Sequence, residues 1–144
     1  MSRGDAVARR LYAWEDRVVA PRDVSAVPFA QLQALVDHVW AAEGLCFPPR
    51  IRPLPRQARG TVARATRLAI EAPPQLPSWV LLHELAHAMT STADGGSDGH
   101  GPLFVGLYLG LLARHARMPF EELAASLRTA GIAFDPVAQP VFIG

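Results

Sequence analysis

The sequence predicts an α+β fold, with helices on either side of three short strands. Two observations predict it. Apolar residues recur at helical spacing before residue 44 and after residue 77, while between them the pattern shortens to strand-like runs punctuated by proline and glycine. The length of 144 residues, half of them apolar and 19% charged, suits a single domain, residues 1–144, with one hydrophobic core.

Taken in order, Val7, Leu11, Trp14, Val18 and Val19 mark an amphipathic helix over residues 5–19, and Pro21 breaks it. Phe29, Leu32, Leu35, Val36, Val39 and Trp40 mark a second helix over 28–43, closed by Gly44. Three short strands follow, around Ile51 and Leu54, at Thr61-Val62, and over residues 66–71, the best of them. Pro53 demotes the first to an edge. Residues 73–77 link into the third helix, which runs to Met89 with Pro77 and Ser78 as its start and Ser78 as N-cap. A polar, glycine-rich loop covers 90–99. Pro102 opens a strongly apolar helix ending near Arg114 and His115, and Pro119 opens a last helix that Gly131 stops. The tail after Asp135 reads as irregular.

The third helix carries the chemistry. Within it stands His83-Glu84-Leu85-Ala86-His87, an H-E-x-x-H pattern. Residues four apart on a helix lie one above the other, about 5–6 Å between Cβ atoms, so both imidazoles reach one ion. A Zn²⁺ ion suits two neutral imidazoles and keeps positions for a third ligand and a water. Glu84 borders the ion without ligating it and is placed as general base. Flanked by Trp79, Val80, Leu81, Leu82, Leu85, Ala86, Ala88 and Met89, the helix is apolar almost all round, so unpaired polar groups there would be costly. A buried helix whose histidines bond to backbone is the plainer alternative, and it leaves the glutamate without a purpose.

A third ligand is required. The metzincin extension would need glycine and histidine where Thr90 and Ala93 stand, so that class is rejected. His100, heading the next helix after a loop able to reverse the chain, is preferred over Glu121 or Glu122 on the last helix. His38 and His115 read as surface or helix-end residues. Tyr108 is a candidate second electrophile for a developing oxyanion, set against a plainer place in the core. Cys46, the single cysteine, excludes a disulfide framework or thiolate zinc knuckle within one chain and reads as a small buried apolar residue.

The motif followed by His100-Gly101-Pro102-Leu103-Phe104 resembles the HExxH…HGxxF arrangement of SprT-like zinc metalloproteases. It is more similar still to a family of small bacterial HExxH metallohydrolases, of like length, that open with a helix bearing an Arg…Tyr…Glu pattern, here Arg10, Tyr12 and Glu15. The match covers roughly residues 66–112. The resemblance implies a minimal zincin-like α+β domain, helices packed on a small twisted three-stranded sheet, with the motif helix beneath an edge strand. It implies His83, His87 and His100 as zinc ligands, Glu84 as catalytic base, and peptide-bond hydrolysis. SprT-like enzymes often add a C-terminal zinc ribbon or DNA-binding part; the cysteines for a ribbon are missing here, which counts against DNA-linked substrates.

Charge adds little. The net is +1 and every basic residue is arginine. Residues 50–67 hold six arginines and no acid, a possible nucleic-acid strip, though solvated strand faces are favoured. The N-terminus lacks a secretory pattern, and the longest apolar run, 103–113, is too short to span a bilayer. The expectation is a cytoplasmic zinc-dependent hydrolase acting on a peptide or protein, using strand 66–71 to add an extended substrate. Two alternatives stand beside it. One is a metal-stabilised binding module for nucleic acid or protein, its zinc closed by a residue such as Asp98. The other is a non-peptide amide hydrolase.

Overall fold

In the computed structural model, which describes residues 3–55 and 63–142, apolar periodicity becomes five helices. They are α1 (Arg3–Trp14), α2 (Phe29–Ala42), α3 (Ser78–Met89), α4 (Pro102–His115) and α5 (Phe120–Thr129). The strands are β1 (Val27–Pro28), β2 (Arg50–Pro53), β3 (Arg64–Ala65), β4 (Ala69–Ala72) and β5 (Gln75–Leu76). The class is α+β, as the patterning predicts. In the three-stranded sheet β4 is central, parallel to β2 and antiparallel to β3, with Ile70 opposite both Ile51 and Ala65. Proline-bearing β2 is an edge. A second ribbon pairs β1 with β5, and the Phe29 N–H donates to the Pro74 carbonyl at 2.8 Å. The supposed 73–77 linker therefore ties the heads of α2 and α3 together.

Two elements differ from the sequence reading. The strand expected over 66–71 begins at Ala69, because Thr66 Oγ1 accepts the backbone N–H groups of Leu68 and Ala69 (both 3.2 Å) and closes a turn before it. The strand expected at Thr61-Val62 lies outside the described residues. The first helix does not run regularly to 19: after Trp14 it widens into one π-helical turn, Glu15–Val19, followed by a 3₁₀ turn at Ala20–Arg22. In addition, Cys46 is exposed rather than buried.

The core forms where α3 and α4 pack together and against the sheet, with Trp14, Trp40, Ile70, Leu81, Leu85 and Leu111 all buried. Each such side chain contributes about 1.5–3 kcal/mol. The tail beyond α5 has no regular element but is pinned. Asp135 N–H donates to Pro102 O and Val141 N–H to Met89 O, each at 3.0 Å. Phe142 stacks on Trp40 with the Arg67 guanidinium over both rings. A Cβ at Gly106 would lie 2.0 Å from the Asp135 carbonyl oxygen, so only glycine lets the tail cross α4. Among the described residues no helix is long and apolar enough to cross a membrane.

The head of α3 is capped from a distance. Pro77 holds the N-cap position and Ser78 is already helical. The orphan N–H groups go instead to the preceding loop: Ser25 Oγ accepts from Ser78 N (2.9 Å) and Asp23 Oδ2 from Trp79 N (2.9 Å), with the Ser78 hydroxyl also donating to Asp23 (2.5 Å). Partial burial pushes the Asp23 carboxyl up, but these hydrogen bonds outweigh it and leave its pKa lowered. Asp23→Ala should cost about 1 kcal/mol at pH 7 in urea denaturation. A lowered folded pKa means that stabilisation is present above the unfolded value, about 3.9, and is lost as pH falls through the folded one. The gap between wild type and variant should therefore shrink in acid; a gap independent of pH would rule out the carboxylate cap.

Candidate metal centre

His83 and His87 lie one turn apart on α3, and their Nε2 atoms stand 3.2 Å from each other. The loop after α3 returns His100 to them. Its first residues bond back to the helix, Thr90 Oγ1 to Ala86 O (2.9 Å) and Ser91 Oγ to His87 O (2.6 Å). At its end Asp98 Oδ2 accepts the Phe104 N–H at 3.0 Å and so caps α4. His100, two residues ahead of that helix, then sits with Nε2 3.2 Å from His87 Nε2. Phe104 is the platform between them, stacked on His87 (ring centroids 4.2 Å apart) and meeting His100 edge-on (5.2 Å).

The ligating nitrogens of His83, His87 and His100 all fall within 4.8 Å of one another, close enough to bind a metal ion. The donor set fits one. His87 Nε2 can either donate one proton or accept one, yet it faces two nitrogens, so the imidazoles cannot satisfy each other. Bonds of about 2.0–2.1 Å to a tetrahedral ion set neighbouring nitrogens about 3.3 Å apart, near the spacing found here. Burial, then the neighbouring His83 and His100, push the His87 pKa down to about 3. His100 is lowered by burial and by His83, against an opposing effect of Glu15. Both rings are thus neutral, with lone pairs to offer.

The other candidates are elsewhere. Glu121 and Glu122 head α5 in solvent, and Glu122 pairs with Arg22 at 3.0 Å. Asp98 is engaged in its cap and is outside the three-histidine group. His38 is exposed on α2, and His115 bonds Glu43 at the far end of α4 (2.8 Å). Of the arginine strip, Arg64 pairs with Glu71, Arg67 covers the two rings, and Arg50 and Arg52 point into solvent; Arg56 and Arg59 lie outside the described residues.

Glu15 has the central supporting role, which the sequence reading did not assign. Only 3% exposed, it accepts through Oε2 from His83 Nδ1 at 2.6 Å and from the Tyr108 hydroxyl at 2.7 Å. That bond fixes the His83 ring and leaves Nε2 facing the cluster. Burial alone would lower the His83 pKa, but the Glu15 hydrogen bond and charge, with the charge of Glu84, raise it. Tyr108 therefore takes the plainer of its two predicted places: it is fully buried, and its hydroxyl serves Glu15 rather than a reaction centre. The available signal was an acid at position 15 on the apolar stripe of Leu11, Trp14 and Val19.

Glu84 is 6% exposed. Burial pushes its carboxyl up to about 7; the charge of His83 opposes the rise and that of Glu15 adds to it. The tyrosine at the open side of the cluster is Tyr12. It is 47% exposed, with its ring stacked at 6.4 Å on His83 and edge-on at 5.5 Å to His100. Burial and the charges of Glu15 and Glu84 raise its phenol pKa, which places the hydroxyl within the field of both carboxylates.

The chain matches no protein-family model, no curated protein and no solved structure.

Removing the carboxylate behind His83 should weaken metal binding without removing a ligand. Glu15→Gln is expected to lower affinity 10–100-fold in competition with a chelator, and His100→Ala to lower it further. Equal affinity in wild type and Glu15→Gln would exclude the supporting role.

Proposed function

We propose that this protein is a zinc-dependent hydrolase cutting peptide bonds, with Glu84 as general base, in the manner of the SprT-like metalloproteases its motif resembles. The observation that carries the reading is the convergence of three imidazole nitrogens within 4.8 Å, two of them from α3, where the buried Glu84 directly follows His83. His83, His87 and His100 would hold the ion, an all-imidazole set suited to zinc with a position left over. Bound there, zinc supplies a water acidic enough to lose a proton near neutral pH and polarises the carbonyl under attack.

The chain's own groups do the rest. Glu84 takes the proton from the attacking water and returns it to the leaving amine. A carboxyl of pKa about 7, raised by burial, is matched to both tasks at neutral pH. Tyr12, against two of the three imidazoles and open to solvent, is placed to donate its hydroxyl proton to the oxyanion. An extended substrate cannot add to β4, which is hydrogen-bonded on both sides; β3, an edge among the described residues that packs near α3, would take that role.

The binding-module alternative has less support, since Asp98 is spent on capping α4 and, among the described residues, no acid joins the three histidines. The test is a peptide library incubated with zinc-loaded protein and read by mass spectrometry. Wild type should cleave. Glu84→Gln should keep its metal and lose about 10²-fold or more in kcat. Full turnover by that variant, or no cleavage by zinc-loaded wild type, would defeat the reading. Tyr12→Phe should keep metal affinity and KM while kcat falls about 10²-fold; a change confined to KM would instead make Tyr12 a binding residue.

A further inference from the structure

The geometry points to a substrate subsite in the recess beside His100, one that takes an apolar side chain adjoining a carboxylate. Its role rests on the hydrolase reading; its existence as a binding site does not. The recess has a volume of about 240 Å³. Pockets for drug-sized ligands run to about 300–1,000 Å³, so this one holds a single side chain or a group of that size. Val7, Pro102, Ile132 and Ala133 make its walls mostly apolar, and His100 is part of the lining. Whatever fills it touches a residue of the metal cluster, so it flanks the bond to be cut.

The walls come from three distant segments, each tied down. Ile132 N–H donates to Leu127 O and Asp135 N–H to Pro102 O, both at 3.0 Å, which fixes the stretch beyond α5 against α4. Arg10 of α1 closes the rim, its Nη1 donating to Gly131 O at 3.1 Å. Among the described residues the arginine–carboxylate pairs involve Arg22, Arg64 and Arg114, and none involves Arg10. A guanidinium has five N–H donors. One is spent on Gly131, which orients the group, and the others remain for a planar anion. An apolar wall with one anchored cation at its lip recognises an apolar side chain with a carboxylate close by. That carboxylate is either the free C-terminus of the same residue or the acidic side chain of the next.

Three probes separate these cases: N-acetyl-leucine, N-acetyl-leucinamide, and N-acetyl-leucyl-glutamic acid α-amide, whose only free carboxylate is on the glutamyl side chain. Each is titrated into isotope-labelled full-length protein, zinc-loaded and metal-free, and followed by backbone amide shifts. N-acetyl-leucine should move the amides of Val7, Gly131 and Ala133 in both forms, which excludes a carboxylate simply ligating the metal. Its amide should bind about tenfold more weakly. Arg10→Gln should abolish that difference while leaving zinc affinity unchanged, and Ala133→Leu should fill the recess and weaken binding of the acid at least tenfold. Binding of the glutamyl probe as tightly as N-acetyl-leucine would assign the carboxylate to a side chain; binding no tighter than leucinamide would assign it to the C-terminus. Equal affinity for acid and amide in the wild type, or shifts confined to other residues, would overturn the subsite. None of these readouts needs turnover, so an inactive protein that binds as described defeats the hydrolase reading alone.

Discussion

A single carboxylate oxygen, Glu15 Oε2, holds three helical segments in register. It takes a hydrogen bond from His83 on α3 and another from Tyr108 on α4, while its own backbone belongs to the π-helical turn that continues α1. A carboxylate this buried is costly unless it is paired and hydrogen-bonded. Both donors must therefore be in place when the chain folds. The π turn has a mechanical reason. Trp14 and Glu15 are adjacent, and both face inward: Trp14 is buried with its indole N–H on Ser126 Oγ at 2.8 Å, and Glu15 reaches toward the histidines. A regular helix would turn consecutive side chains about 100° apart; the wider turn relaxes that conflict, and such insertions are found mostly at functional sites.

The charges around the cluster explain why it suits a divalent ion. Glu15 and Glu84 are both buried, and the charge of Glu15 disfavours ionisation of Glu84. Without a metal, the protein compensates by holding protons: the His83 pKa is raised, and Glu84 is half protonated near neutrality. A doubly charged cation among the imidazoles replaces those protons with a charge of matching size. Metal binding at the three histidines would then be linked to proton release.

Much of this was legible in the residues. The motif helix, the helices flanking it and the α+β class follow from periodicity and from prolines and glycines at element ends, which are local effects. His100 was legible because a loop rich in glycine and an apolar helix behind it allow only a return toward α3. What escaped were interactions between distant residues. Thr66 looked like a strand residue because threonine favours strands, and its hydroxyl instead closes the turn that delays β4. The cap of α3 was sought at Ser78 and comes from Asp23, 55 residues earlier. Of the two tyrosines, spacing from His100 drew attention to Tyr108, yet position 108 shares a face with Phe104 and Leu111, and that face is core. Glu15 stood in plain view as an acid in an apolar stripe, but nothing local says that its partner is residue 83.

How open the cluster is decides between a structural and a reactive centre. A structural zinc site is closed by four protein ligands and shielded; a catalytic one keeps three and meets solvent. Here three nitrogens converge and, among the described residues, no acid joins them. His83 is buried behind Glu15, whereas His87 and His100 are partly exposed and Tyr12 stands half in water over two of the rings. The protection is therefore one-sided: the face toward Glu15 and Tyr108 is buried, and the face toward Tyr12 and the recess beside His100 is reachable. A metal held only for stability gains nothing from that asymmetry. The proposed hydrolase would use it, since its substrate would enter from one side while the groups on the other stay fixed.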